Sequence, residues 1–127
     1  MNQKLLNNLV KTSRSLINLS DSKHHFSFII DKNQIISIGK ANSWKSHPLA
    51  QRFGHRHHCI HSELAAILSF NPPFRTIPDY TFINIRLLKD LSLANSKPCG
   101  PCTNLLKSFG VSEVIYSTSS GFQQIGL

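Results

Sequence analysis

Residues 96–104 read SKPCGPCTN. Two cysteines three positions apart straddle Pro101, a residue favoured at the first position of a helix. At a helix start, side chains spaced by three lie on nearly the same face, so Cys99 and Cys102 can reach one ion. The positive potential of a helix N-terminus also lowers thiol pKa and favours the thiolates that zinc takes as ligands. Downstream, Leu105, Leu106 and Phe109 complete a short helix that Gly110 stops. Val111 to Ser117 reads as a strand, the Thr118–Gly121 segment as a turn, and FQQIGL as a short last strand, so an antiparallel hairpin is expected there.

Upstream of the cysteines, residues 58–64 read HCIHSEL. Ile60, Leu64, Ile67 and Leu68 recur at helical spacing, and Asn71–Pro72–Pro73 ends that helix. His61 and Glu63 fall in its first turn. Tyr80 to Leu88 is rich in aromatic and β-branched residues and reads as a buried strand, with a polar connection over Lys89 to Lys97. Nearer the start, Leu5, Leu6, Leu9, Val10, Leu16 and Ile17 form one stripe of an amphipathic helix ending near Ser20–Asp21. His25–Ile30 and Gln34–Gly39 read as a hairpin around Asp31–Lys32–Asn33. Residues 40–59 keep no apolar period and hold Pro48, Gly54 and a run of basic residues, so they are expected to form a long loop of the kind that often carries function. The order helix, strand, strand, helix, strand, helix, strand or strands predicts one α/β domain over 1–127, a sheet covered by helices in two or three layers.

Composition narrows the setting. No apolar run approaches the roughly 18 residues needed to cross a bilayer, and the polar–apolar N-terminus lacks the h-region of a secretory signal. Three cysteines, two of them in Cys-x-x-Cys, suit a reducing compartment, so a cytoplasmic protein is expected. Fourteen Lys and Arg against six Asp and Glu give a formal charge of +8, which favours anionic partners.

The chemistry follows from the ligand count. One His and two Cys leave the fourth tetrahedral position of a zinc ion open, whereas a structural site usually has four protein ligands. Water in that position has its pKa lowered toward about 7, and Glu63 stands near enough to His61 to move its protons without being a ligand. A redox pair is the rival reading of Cys-x-x-Cys, and the HSE partner argues against it. His57 and His58 compete with His61 as first ligand, but only His61 has the glutamate two positions on and the apolar helical run behind it. Cys59 reads as a buried or loop thiol.

The pair of motifs, HSE at 61–63 and PCGPC at 98–102, resembles the H-x-E … P-C-x-x-C signature of the zinc-dependent cytidine and deoxycytidylate deaminase superfamily. The resemblance implies a three-layer α/β fold, with a mixed sheet of about five strands between helices on both faces. It implies that His61, Cys99 and Cys102 bind Zn2+, and that Glu63 protonates the ring nitrogen beside the attacked carbon as ammonia leaves. It further implies that Asn42 meets the sugar and that the Lys97 carbonyl faces the departing amino group. Trp44 would stack on the base. Lys45 and His58, with Arg52, Arg56, His55 and His57, would present cations to a phosphate. Ser62 stands where the family usually has alanine. Protomers of such enzymes often pair or tetramerise. The first substrate expectation is a cytosine-bearing nucleotide, dCMP giving dUMP. Gly39–Lys40–Ala41–Asn42 departs from the family's Gly-Tyr-Asn-Gly segment, so control by nucleoside triphosphates is not expected. The second is cytosine or adenine in tRNA or single-stranded DNA, suited by the charge, although no basic tail or helix follows the last strands. A third is a non-catalytic zinc-containing module that binds nucleic acid. No membrane partner is expected.

Overall fold

The computed structural model describes residues 2–17, 24–41, 52, 61–70 and 80–127. In chain order these hold α1 (Gln3–Ser15), β1 (His25–Asp31), β2 (Gln34–Lys40), α2 (Ser62–Ser69), β3 (Thr81–Leu87), β4 (Leu93–Ala94), α3 (Gly100–Ser108), β5 (Glu113–Thr118) and β6 (Gly121–Gly126). The strands form one mixed sheet in the order β2-β1-β3-β5-β6, with β4 paired to β3 off that path. Among these pairings β3–β5 is parallel and the rest are antiparallel. The parallel pair is joined through α3, as a crossover between parallel strands requires.

Alternation along the strands sorts the core into two layers. Phe26, Phe28 and Ile30 of β1, with Ile83, Ile85 and Leu87 of β3, pack against Leu6, Leu9 and Val10 of α1. Ile29 of β1, Phe82 of β3 and Val114 of β5 pack instead against Leu64, Ala66 and Ile67 of α2 and Leu105 and Leu106 of α3. Helix, sheet and helix pair make the expected three layers. Among the described residues the sheet has six strands where about five were expected, because Leu93–Ala94 pairs with Arg86–Leu87 inside the segment read as a polar connection. A two-residue strand is too short to show alternation. The turn before it is held by Asp90, whose carboxylate accepts from the Ser92 N–H at 3.0 Å and hydroxyl at 2.5 Å.

Local chemistry explains the element ends. Asn2 caps α1 by accepting from the Leu5 N–H at 3.1 Å. The helix stops at Ser15, short of the Ser20–Asp21 boundary read from the sequence. Thr12, Ser13 and Ser15 turn their hydroxyls back onto the carbonyls of Asn8, Leu9 and Thr12. Such back-bonding competes with helix continuation. Residues 18–23 lie outside the described set. The β1–β2 turn places Lys32 and Asn33 at φ 50° and 65°, two successive left-handed residues as a tight hairpin demands. Gly110 has φ 85° at the end of α3, and the Val111 N–H bonds the Leu106 carbonyl at 3.1 Å. That left-handed cap is the reason glycine follows this helix.

Candidate metal centre and its acid–base group

Two helix N-termini meet above the β1–β3 pair. His61 is the N-cap residue of α2 and Cys99 that of α3, both with extended backbones, and Cys102 lies in the first turn of α3. The His61 Nδ1 stands 3.3 Å from the Cys102 Sγ and 3.8 Å from the Cys99 Sγ. The ligand atoms of all three residues lie within 4.8 Å of one another. A tetrahedral zinc with Zn–S near 2.3 Å and Zn–N near 2.0–2.1 Å sets its nitrogen and sulfur ligands about 3.6 Å apart. The separations therefore suit one ion of that size, and an imidazole with two thiolates is a donor set that zinc prefers.

Thiol protonation is split between the pair. Cys99 is lowered to about 4, first by the hydrogen bond from the Cys102 thiol and further by His61. Cys102 is pushed up by that same hydrogen bond, with burial adding to it. The pair thus shares one proton, which stays on the buried sulfur.

Glu63 sits in the first turn of α2 and is only 6% exposed. Burial raises its pKa above the ordinary value, with the Cys99 charge adding and a backbone hydrogen bond and His61 opposing. Its carboxyl is held from two sides. The Ser62 hydroxyl donates to Oε1 at 3.2 Å, and the Asn84 Nδ2 donates to Oε2 at 3.2 Å. Ser27 and Asn84 face each other in the β1–β3 register, and the Ser27 hydroxyl lies 2.6 Å from the Asn84 Oδ1 and 2.8 Å from the Ser62 Oγ. All four side chains are buried.

The helix that carries His61 and Glu63 is pressed onto β2. A Cβ on Gly39 would collide with the Ala66 nitrogen and the Ser62 carbonyl, and the Ser37 hydroxyl donates to the Ala66 carbonyl at 2.6 Å. Glycine is required at this close approach of strand to helix.

Of the residues singled out in the sequence, His61, Cys99, Cys102 and Glu63 come together. Lys97 is exposed two positions before Cys99, and Pro98 between them is buried. Asn42, Trp44, Lys45 and His58 lie outside the described residues, as do Cys59 and His57. Arg52 is described and exposed. Sequence reasoning missed Ser27 and Asn84. Their signal was a lone polar residue at an inward position, in HFSFII at 25–30 and TFINIR at 81–86, where alternation otherwise places Ile29 and Phe82.

No family model and no curated protein matches this chain. Solved structures do. The chain superposes on the dCMP deaminase from the cyanophage S-TIM5 in complex with dCMP and dUMP with a TM-score of 0.60 and 14% identity, covering 91% of this chain and 82% of that one. The apo form of the same enzyme gives a TM-score of 0.60 and 15% identity, covering 91% and 84%. The three-layer fold read from the motifs is thus the fold of a dCMP deaminase.

Proposed function

We propose that this protein is a zinc-dependent hydrolytic deaminase of a cytosine-bearing nucleotide, with dCMP as the first substrate and dUMP and ammonia as products. One observation carries the reading: an imidazole nitrogen and two cysteine sulfurs within 4.8 Å of one another, with a buried carboxyl two residues from the imidazole. The shared fold with a dCMP deaminase supports it.

In this reading His61, Cys99 and Cys102 hold the zinc, which supplies an activated water through its open fourth position. The chain's own residues do the rest. Glu63, buried and raised in pKa, carries a proton at its carboxyl to the ring nitrogen beside the attacked carbon. It then hands on the proton gained from water to the departing amino group, a two-way task that favours a pKa near the working pH. The Lys97 carbonyl faces that amino group. Asn42, Trp44, Lys45 and His58 form the sugar, base and phosphate contacts, and a second copy of the chain completes the pocket.

A panel of dCMP, dCTP, deoxycytidine, cytidine and a cytosine-bearing oligonucleotide, followed by ammonia release, tests the reading. Turnover of dCMP with zinc bound is expected, and Glu63→Gln should retain zinc while losing at least about 100-fold in kcat. Wild-type rates in that variant would overturn the mechanism. The charge of +8 favours a second reading, deamination of a base within nucleic acid. Inertness toward dCMP, with activity on the oligonucleotide that falls steeply with salt, would select it.

A further inference from the structure

We propose that Asn84 is a positioning residue for the Glu63 carboxyl, and that Ser27 and Ser62 fix the two groups in one relative orientation. The proposal deepens the deaminase reading and rests on it for its kinetic consequence. Asn84 lies in the middle of β3, 2% exposed, on the sheet face otherwise filled by Phe82, Ile29 and the apolar side of α2. A polar side chain buried there is costly unless every hydrogen-bonding group is matched. Each is. The Oδ1 accepts from the Ser27 hydroxyl at 2.6 Å, while the Nδ2 donates to the Glu63 Oε2 and to the Ser96 carbonyl, both at 3.2 Å. A flipped amide would turn its oxygen toward two other acceptors, so only one orientation is satisfied.

Asn84 also joins the two halves of the site. Ser96, whose carbonyl it holds, is pinned by its own hydroxyl to the Asn84 carbonyl at 2.9 Å, and its N–H donates to the Ser117 carbonyl at 2.9 Å. Three residues later the chain reaches Cys99. One amide therefore spaces the carboxyl on α2 from the segment that delivers the cysteines. Without it, the Glu63 Oε2 would lose its amide donor, and the carboxyl would keep the Ser62 hydroxyl on Oε1 and the Cys102 thiol as its side-chain partners. Ser62 takes part because its hydroxyl touches both Ser27 and Glu63.

Displacement of a reacting group by about 1 Å can cost on the order of 100-fold in rate. The test uses the full-length protein loaded with zinc. Asn84→Asp preserves shape and the acceptor for Ser27 but removes the amide donor to Glu63, and Ser62→Ala removes the hydroxyl contact. Each should keep one zinc per chain, leave KM for dCMP within about threefold, and lower kcat by about 10- to 100-fold. In a Glu63→Gln background Asn84→Asp should cost nothing further, because residues acting as a unit are not additive. An unchanged kcat, loss of zinc, or the same fold-loss in both backgrounds would overturn the proposal. A second readout needs no substrate. The side-chain amide protons of Asn84, followed by NMR, should exchange slowly and shift when Glu63 is replaced by alanine. Should the wild type prove inert on the whole panel, the deaminase reading fails. The positioning claim is then decided by this signal, supported if it responds and overturned if it does not.

Discussion

Cys99 and Cys102 differ in what they must give up to bind a metal. Cys99, lowered to about 4, is already a thiolate at neutral pH, whereas Cys102 holds the proton that both sulfurs share. Zinc binding should therefore release about one proton per ion at pH 7, where two ordinary thiols with pKa near 8.5 would release close to two. The sign follows directly. A proton leaves on binding, so affinity rises with pH, by about tenfold per unit through the neutral range. Calorimetric titrations in buffers of different ionisation enthalpy read the number. A value near two would mean that Cys99 is not ionised beforehand. The convergence of His61, Cys99 and Cys102 was legible because Cys-x-x-Cys and His-x-Glu are each short-range patterns whose spacing fixes a common direction at a helix start. Nothing local distinguishes the two thiols. Their division of one proton depends on which sulfur the fold buries, and burial is set by packing of α3 onto the sheet.

At the level of elements, the seating of α2 on β2 decides where His61 and Glu63 stand. Gly39 permits that seating, since a Cβ there would run into the Ala66 nitrogen and the Ser62 carbonyl. Gly39→Ala should lift the helix. Overpacking of a tight contact costs about 1–3 kcal/mol, so a drop in thermal midpoint of several degrees is expected, together with weaker zinc binding, because His61 moves while Cys99 and Cys102 stay. A variant as stable and as metal-avid as the wild type would show that α2 can slide without loss. Element types were readable almost throughout. The hairpin of β1 and β2 announced itself through Asp31–Lys32–Asn33, and α3 through Pro101 and Gly110. The two misjudged places have physical causes. Ser and Thr hydroxyls ended α1 early by bonding its carbonyls, and β4 is too short to leave a periodic trace. The polar positions Ser27 and Asn84 looked like weak points of apolar strands, and their meaning came only from the register that sets them opposite each other.

Across the whole molecule, the proposed metal ligands belong to one layer. His61 comes from α2 and both cysteines from α3, and these helices share the sheet face of Ile29, Phe82 and Val114. On the other face α1 packs against Phe26, Phe28, Ile83 and Ile85 with no ligand among them. Zinc bound at the proposed ligands therefore cross-links α2 to α3 and leaves the α1 layer untouched. Removal of the ion should lower the thermal midpoint without unfolding the chain, because both apolar clusters persist and a ligand that binds only the folded state stabilises by mass action. Local stability should change unevenly. Backbone amides of α2 and the first turn of α3 should lose hydrogen-exchange protection by about tenfold or more after chelation, whereas those of β1, β3 and α1 should stay within about twofold. Uniform loss across both layers would mean that the metal is needed for the global fold, as in small zinc domains. An unchanged pattern would mean that the three residues do not bind zinc, and the deaminase reading would fall with them. The two-layered core argues for the uneven outcome: the sheet is closed from both sides by side chains that owe nothing to the ion, and only the meeting of two helix ends above it depends on what lies between them.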